Sequence, residues 1–174
     1  PLDLVRGGLA RDALPESLGA LLIGVQLGLV LVMQWPVGRS LALRPVTHGL
    51  GLSFLCLAAG CLLLAVSALA RWGVVVLIVA QVPLALGQAA FLPTAAEAVV
   101  ELTPLEHRGL AMALFSQCFA LSSLAAPLLA GRLLDGQGHG VGLWLLMVLT
   151  SLLGFSLSRS LGVRPAGLPP ASAS

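Results

Sequence analysis

Pro104–Asp135 reads PLEHRGLAMALFSQCFALSSLAAPLLAGRLLD. A charged, tightly turned approach, Pro104 to Gly109, leads into a run from Gly109 to Gly131 that carries no charge. Near its far end small residues surround a proline, at Ser122, Ala126, Pro127, Ala130 and Gly131, and the run closes on Arg132 and Asp135. At 1.5 Å rise per residue, about 20 apolar residues cross a hydrocarbon core of about 30 Å, so the run predicts a membrane-spanning helix. Small residues one helical turn apart let two helices approach closely in lipid, where packing replaces the hydrophobic drive. Ser122, Ala126 and Ala130, with Pro127 and Gly131 one step on, are therefore expected helix-packing positions.

The rest of the chain repeats this design. Of its 174 residues 58% are hydrophobic and 9% charged, with a mean hydropathy of +1.03. An average soluble domain is about 25% charged, and a short soluble chain cannot hide so much apolar surface. The fold class is all-α, a polytopic transmembrane helix bundle whose one obvious partner is the lipid bilayer. Barrel strands would alternate apolar and polar residues; these runs are solidly apolar.

Five spans are predicted: Leu18–Val37, Val46–Ala70, Trp72–Ala96, Gly109–Gly131 and Val141–Ser158. A polar extracytoplasmic loop over 1–17 precedes them, its first residues the trailing end of a truncated helix, because the chain opens on Pro1 without an initiator Met and is expected to be a piece of a longer protein. The bundle then occupies 18–158, and a Pro-, Ala- and Ser-rich cytoplasmic tail over 159–174 is expected to be disordered. Between the spans, 38–45 is expected as a short basic connection, 97–108 as a charged loop and 132–140 as a Gly-rich loop. The tail side holds Arg39, Arg44, Arg108, Arg159 and Arg164, against Arg6, Arg11, Arg71 and Arg132 on the other, and the positive-inside rule places the former in the cytoplasm. Trp35, Trp72 and Trp144 fall near span ends, where indole rings meet the headgroups.

Net charge is +2, and the nine basic residues, all Arg, are scattered, so no nucleic-acid footprint exists. Cys56, Cys61 and Cys118 lie in apolar runs at spacings that fit no metal site. No zinc-protease motif, nucleophile elbow or phosphate loop is present. The expectation is no enzyme, no metal and no cofactor.

Polar side chains inside spans are the candidates for function, because a polar group facing lipid is costly unless partnered. Gln81 and Gln88 are seven apart and differ by about 20° around a helix, so they share a face. With Gln26 and Gln117 they are the expected substrate-binding residues, the alternative for each being interhelical packing. Glu97 and Glu101, with Arg39, Arg44 and Arg108, form an expected charge cluster at the cytoplasmic end, read either as a gate or as a solvated loop. Gln26 and Pro36 are ten apart, as are Gln117 and Pro127. This suggests that the first and fourth spans are corresponding members of an inverted repeat.

Two segments carry a family resemblance. Pro104…Arg108-Gly109, followed by Ser122…Ala126-Pro127…Ala130-Gly131, resembles the junction of the tenth and eleventh helices of the major facilitator superfamily, a Pro-x-x-x-Arg-Gly turn and then a Gly-Pro-x-x-Gly-Gly-like segment. Gly38 to Arg44 resembles the family's loop motif between helices eight and nine. That loop keeps Gly38, but Ala42 stands where the family has Asp and Leu43 where it has a basic residue. Ala126 and Ala130 keep the small size of the family's glycines without their backbone freedom. The resemblance implies that the spans are helices eight to twelve, a fragment of a twelve-helix carrier. It implies secondary active transport of a small-molecule substrate by alternating access, and an amino-terminal helix bundle of the same protein as partner. The expected location is the plasma (inner) membrane. Apolar, amide-lined spans favour efflux. The rival reading is a non-transporting membrane scaffold or subunit.

Overall fold

The computed structural model describes residues 7–161, so the truncated helix expected at Pro1–Leu4 and the tail from 162 onward lie outside the described residues. Five long helices follow in order: α1 (Glu16–Leu41), α2 (Val46–Leu69), α3 (Gly73–Leu102), α4 (Arg108–Gln137) and α5 (Val141–Leu161), with a 3-10 turn at Leu105–His107. All five are long and apolar enough to cross a membrane. In lipid each backbone N–H and C=O must be satisfied within the chain, which makes every such run helical.

Proline sets the starts and glycine one of the ends. Pro15, Pro45 and Pro104 each stand just before a helix or turn and cannot extend it backwards. Their carbonyls accept the first N–H groups, from Leu18 at 3.0 Å, His48 at 2.9 Å and His107 at 3.0 Å. Gly138, at φ 71°, closes α4 by donating to the Leu134 carbonyl at 2.9 Å. The helices outrun the expected spans. α3 continues through Glu97 and Glu101 to Leu102, α4 through Arg132 and Asp135 to Gln137, and α1 to Leu41. Much of what reads as charged or Gly-rich loop is therefore helix, because a charge at the membrane surface is hydrated and does not break a helix.

α2 and α3 form the centre. Gly49 faces Thr94, Gly60 faces Leu84, and Gly87 faces Leu57. The Ser53 hydroxyl donates to the Gly87 carbonyl at 2.8 Å. α5 lies against the other side of α2, where Gly154 meets Phe54 and Gly51 meets Phe155. α1 lies against α3 through Val37, Leu41, Ala89 and Ala90. The row thus runs α1–α3–α2–α5. α4 stands to the side and touches the bundle mainly near its ends. Phe115 packs on the Leu50, Ala95 and Ala98 cluster, and Leu134 is buried at the far end. Between them Ser116 to Leu129 are all exposed.

The segment before α1 is fixed to the α2–α3 end. The Ala10 N–H donates to the Ala68 carbonyl at 3.1 Å, and Arg11, buried, donates through Nη1 to the Ser67 hydroxyl at 2.9 Å. Trp35 and Trp72 are exposed near helix ends, whereas Trp144 packs against the Leu64, Leu77 and Ala80 cluster.

Candidate functional site

The mid-span amides divide into two pairs. Gln81 is buried on α3 and its Nε2 donates to the Leu77 carbonyl at 3.1 Å. Gln26 reaches it from α1. With its amide turned so that both ends are satisfied, Gln26 Nε2 donates to Gln81 Oε1 at 2.8 Å and to the Gln81 carbonyl at 3.1 Å, and Gln26 Oε1 accepts from the Ala85 N–H at 3.1 Å. The two glutamines thus join α1 to α3. Ser116 and Ser123, exposed on α4, bond back to the carbonyls of Met112 and Phe119 one turn earlier.

Gln88 and Gln117 behave differently. Both are exposed, on α3 and α4, and neither amide has a partner among the described residues. Gln88 shares the angular position of Gln81, yet α1 covers only the latter. A bare amide against hydrocarbon costs several kcal/mol, so these two faces require water or further protein opposite them.

The remaining expected residues are scattered over the surface. Ser122, Ala126 and Pro127 are exposed and Ala130 and Gly131 half-buried. Among the described residues a methyl group placed on Gly131 would meet nothing within 4 Å, and the same holds for Gly38 and Gly109. The close helix packing realised within this chain lies instead between α2 and α3. The expected charge cluster is not joined by ion pairs among the described residues. Arg39 and Glu97 are exposed, Arg108 donates through Nε to the Thr103 carbonyl at 3.3 Å, and Glu101 borders a cleft of about 240 Å³ with Pro45 and Thr47. Arg44 lines a separate groove with His48 and Arg159. No group of three or more metal-ligating side chains occurs among the described residues.

Sequence reasoning missed several residues that organise the centre: Arg11, Ser53, Ser67, Gly87 and Thr94. A signal for most of them was present. Gly73, Ala80, Gly87 and Thr94 recur every seven residues on α3, and Ser53, Gly60 and Ser67 every seven on α2, all buried.

Comparison with known protein families adds a finding independent of this geometry. Residues 9–174 match the family model of the Major Facilitator Superfamily. Comparisons with curated proteins and with solved structures gave no match. The match runs through all five helices, including the Pro104–Gly109 turn and the 38–44 loop that suggested the family. An all-helical, multi-pass membrane architecture and a near full-length family match agree, and the chain belongs to the Major Facilitator Superfamily of membrane transporters.

Proposed function

We propose that the five helices are the carboxy-terminal side of a secondary active carrier that moves a small solute by alternating access. In this reading Gln88 and Gln117 face the solute path, and a second helix bundle of the same protein closes that path from the other side. The observation that carries the proposal is the exposure of these two mid-span amides on faces that nothing in the described chain covers. The small residues Ser122, Ala126 and Ala130 are the surface on which the second bundle slides. Gln26 and Gln81 hold α1 and α3 in register beside the path. The chain performs no chemistry on the solute, its carboxy-terminal end is cytoplasmic, and the protein resides in the plasma (inner) membrane. The apolar lining favours efflux.

Cysteine labelling in proteoliposomes tests the reading without knowledge of the solute. In a background with Cys56, Cys61 and Cys118 replaced by Ser, Gln88→Cys and Gln117→Cys should react with a water-soluble maleimide. Leu62→Cys and Val66→Cys, on the exposed apolar stripe of α2, should not. Protection of both glutamine positions from the reagent would overturn the carrier reading and favour a scaffold whose amides are buried against a partner.

A further inference from the structure

Where α2 begins and α5 ends, a groove of about 580 Å³ opens between the two helices. Its rim is basic, with Arg44 from the turn before α2, His48 from the first turn of α2 and Arg159 from the last turn of α5. Its floor is apolar, formed by Leu52, Leu55 and Phe155. The Arg159 guanidinium stands 5.6 Å from the centre of the Phe155 ring, which holds the cation against the apolar wall. Neither Arg44 nor Arg159 has a carboxylate partner among the described residues. The sequence that follows, 162–174, brings Arg164 and no Asp or Glu. Two unneutralised guanidinium groups on one rim make a local positive potential that attracts an anion.

The apolar floor does not stop at the groove. His48, Leu52, Leu55, Ala59, Leu62, Val66 and Leu69 are all exposed on α2 at steps of three and four, a single face running the length of the span. A free anion would use only the rim. A molecule with a negative head and long apolar tails uses rim, floor and stripe together. On the far side of Thr47 the smaller cleft carries Glu101, so an anionic head has one side on which to settle. The groove lies at the end of the bundle that the positive-inside rule assigns to the cytoplasm, where the leaflet is anionic.

From this we infer that the groove binds an anionic phospholipid, with its phosphate between Arg44 and Arg159 and its acyl chains along Leu52, Leu55 and the α2 stripe. The groove is lined by α2, α5 and the turn before α2, and shares no residue with the Gln88 and Gln117 faces assigned to the solute path.

Native mass spectrometry of the full protein released from detergent tests this, with three probes: palmitoyl-oleoyl phosphatidylglycerol, the phosphatidylcholine with the same chains, and glycerol phosphate. Wild-type protein should retain phosphatidylglycerol in preference to the other two. Arg44→Gln with Arg159→Gln should weaken that retention roughly 25-fold, about fivefold per basic residue near an anionic lipid surface. Arg39→Gln, at the same end but outside the groove, should leave it unchanged. Leu55→Trp fills the apolar floor with both arginines intact and should weaken phosphatidylglycerol alone; it also guards against misfolding of the charge variant. Equal retention of phosphatidylcholine, or equal loss in Arg39→Gln, would overturn the site. Glycerol phosphate bound as well as the lipid would show that the groove takes a soluble phosphate, and would overturn the lipid assignment. Because none of these readouts involves transport, failure here leaves the carrier reading standing, and failure of that reading leaves this site standing.

Discussion

Gln26 and Gln81 meet amide to amide at 2.8 Å, one from α1 and one from α3. Each satisfies part of the other's hydrogen-bonding capacity where water is scarce, so the pair is worth more than either member alone. Gln26→Leu leaves Gln81 Oε1 without its donor, Gln81→Leu leaves Gln26 with backbone partners alone, and each should cost about 0.6–1.7 kcal/mol, the range for interhelical hydrogen bonds in membranes. The double Leu variant strands nothing and should cost less than the sum of the two. Denaturant unfolding in mixed micelles, read as a double-mutant cycle, checks this; strict additivity would show that the two side chains do not couple.

The glycines offer a contrast between a filled interface and an open face. A methyl group placed on Gly60 would stand 2.5 Å from Leu84 Cγ, and one on Gly87 would stand 2.8 Å from Leu57 Cγ and 3.0 Å from its backbone nitrogen. Gly60→Val and Gly87→Val should therefore each destabilise the bundle by about 1–3 kcal/mol through overpacking. A Cβ at Gly131 meets nothing within 4 Å among the described residues, and the thermal unfolding of Gly131→Val should stay within about 0.5 kcal/mol of wild type. A Gly87→Val protein as stable as wild type would refute the close α2–α3 contact.

Arg11 is 4% exposed and bonds to Ser67, whose own hydroxyl donates to the Leu64 carbonyl at 2.6 Å. Its aliphatic stem lies beside Gly73 at the start of α3. Arg11→Ala removes a charge-assisted bond and the packing of the stem, and should cost about 1.5–3 kcal/mol. Arg71→Ala, at an exposed position on the same end, should cost no more than about 0.5 kcal/mol. Hydrogen exchange should show the amide of Ala10 losing protection in Arg11→Ala and keeping it in Arg71→Ala.

The number and kind of elements were legible because length and hydropathy decide them: an uncharged run of about 20 residues has no alternative to helix in a bilayer. Helix ends were less legible. Glu97, Glu101, Arg132 and Asp135 read as loop, yet they sit in continuing helices that end only at Thr103 and Gly138, where the backbone leaves the helical region. Packing partners were the least legible. Small residues at 122, 126 and 130 mark a face but do not say what lies opposite it, and among the described residues nothing covers Ser122 or Ala126. The seven-residue recurrence from Gly73 to Thr94 marks a face in the same way, and there α2 answers with its own at Ser53, Gly60 and Ser67. Gln81 and Gln88 show the same limit: helical angle put them on one side, while the placement of α1 decides that the first is covered and the second is bare.

The α2–α3 contact joins neighbours in sequence across a turn at 70–72, whereas α5 reaches α2 only after α4 has been laid down. Short closures cost little chain entropy and form first. During synthesis the central hairpin therefore seals as it emerges, α1 docks on a surface already complete, and α4 enters the bilayer with its middle bare. Mechanical extraction should run the film backwards. A force applied at the carboxy-terminal end should peel α5 and then α4 with little resistance from the latter, and should meet its highest rupture force at the α2–α3 hairpin.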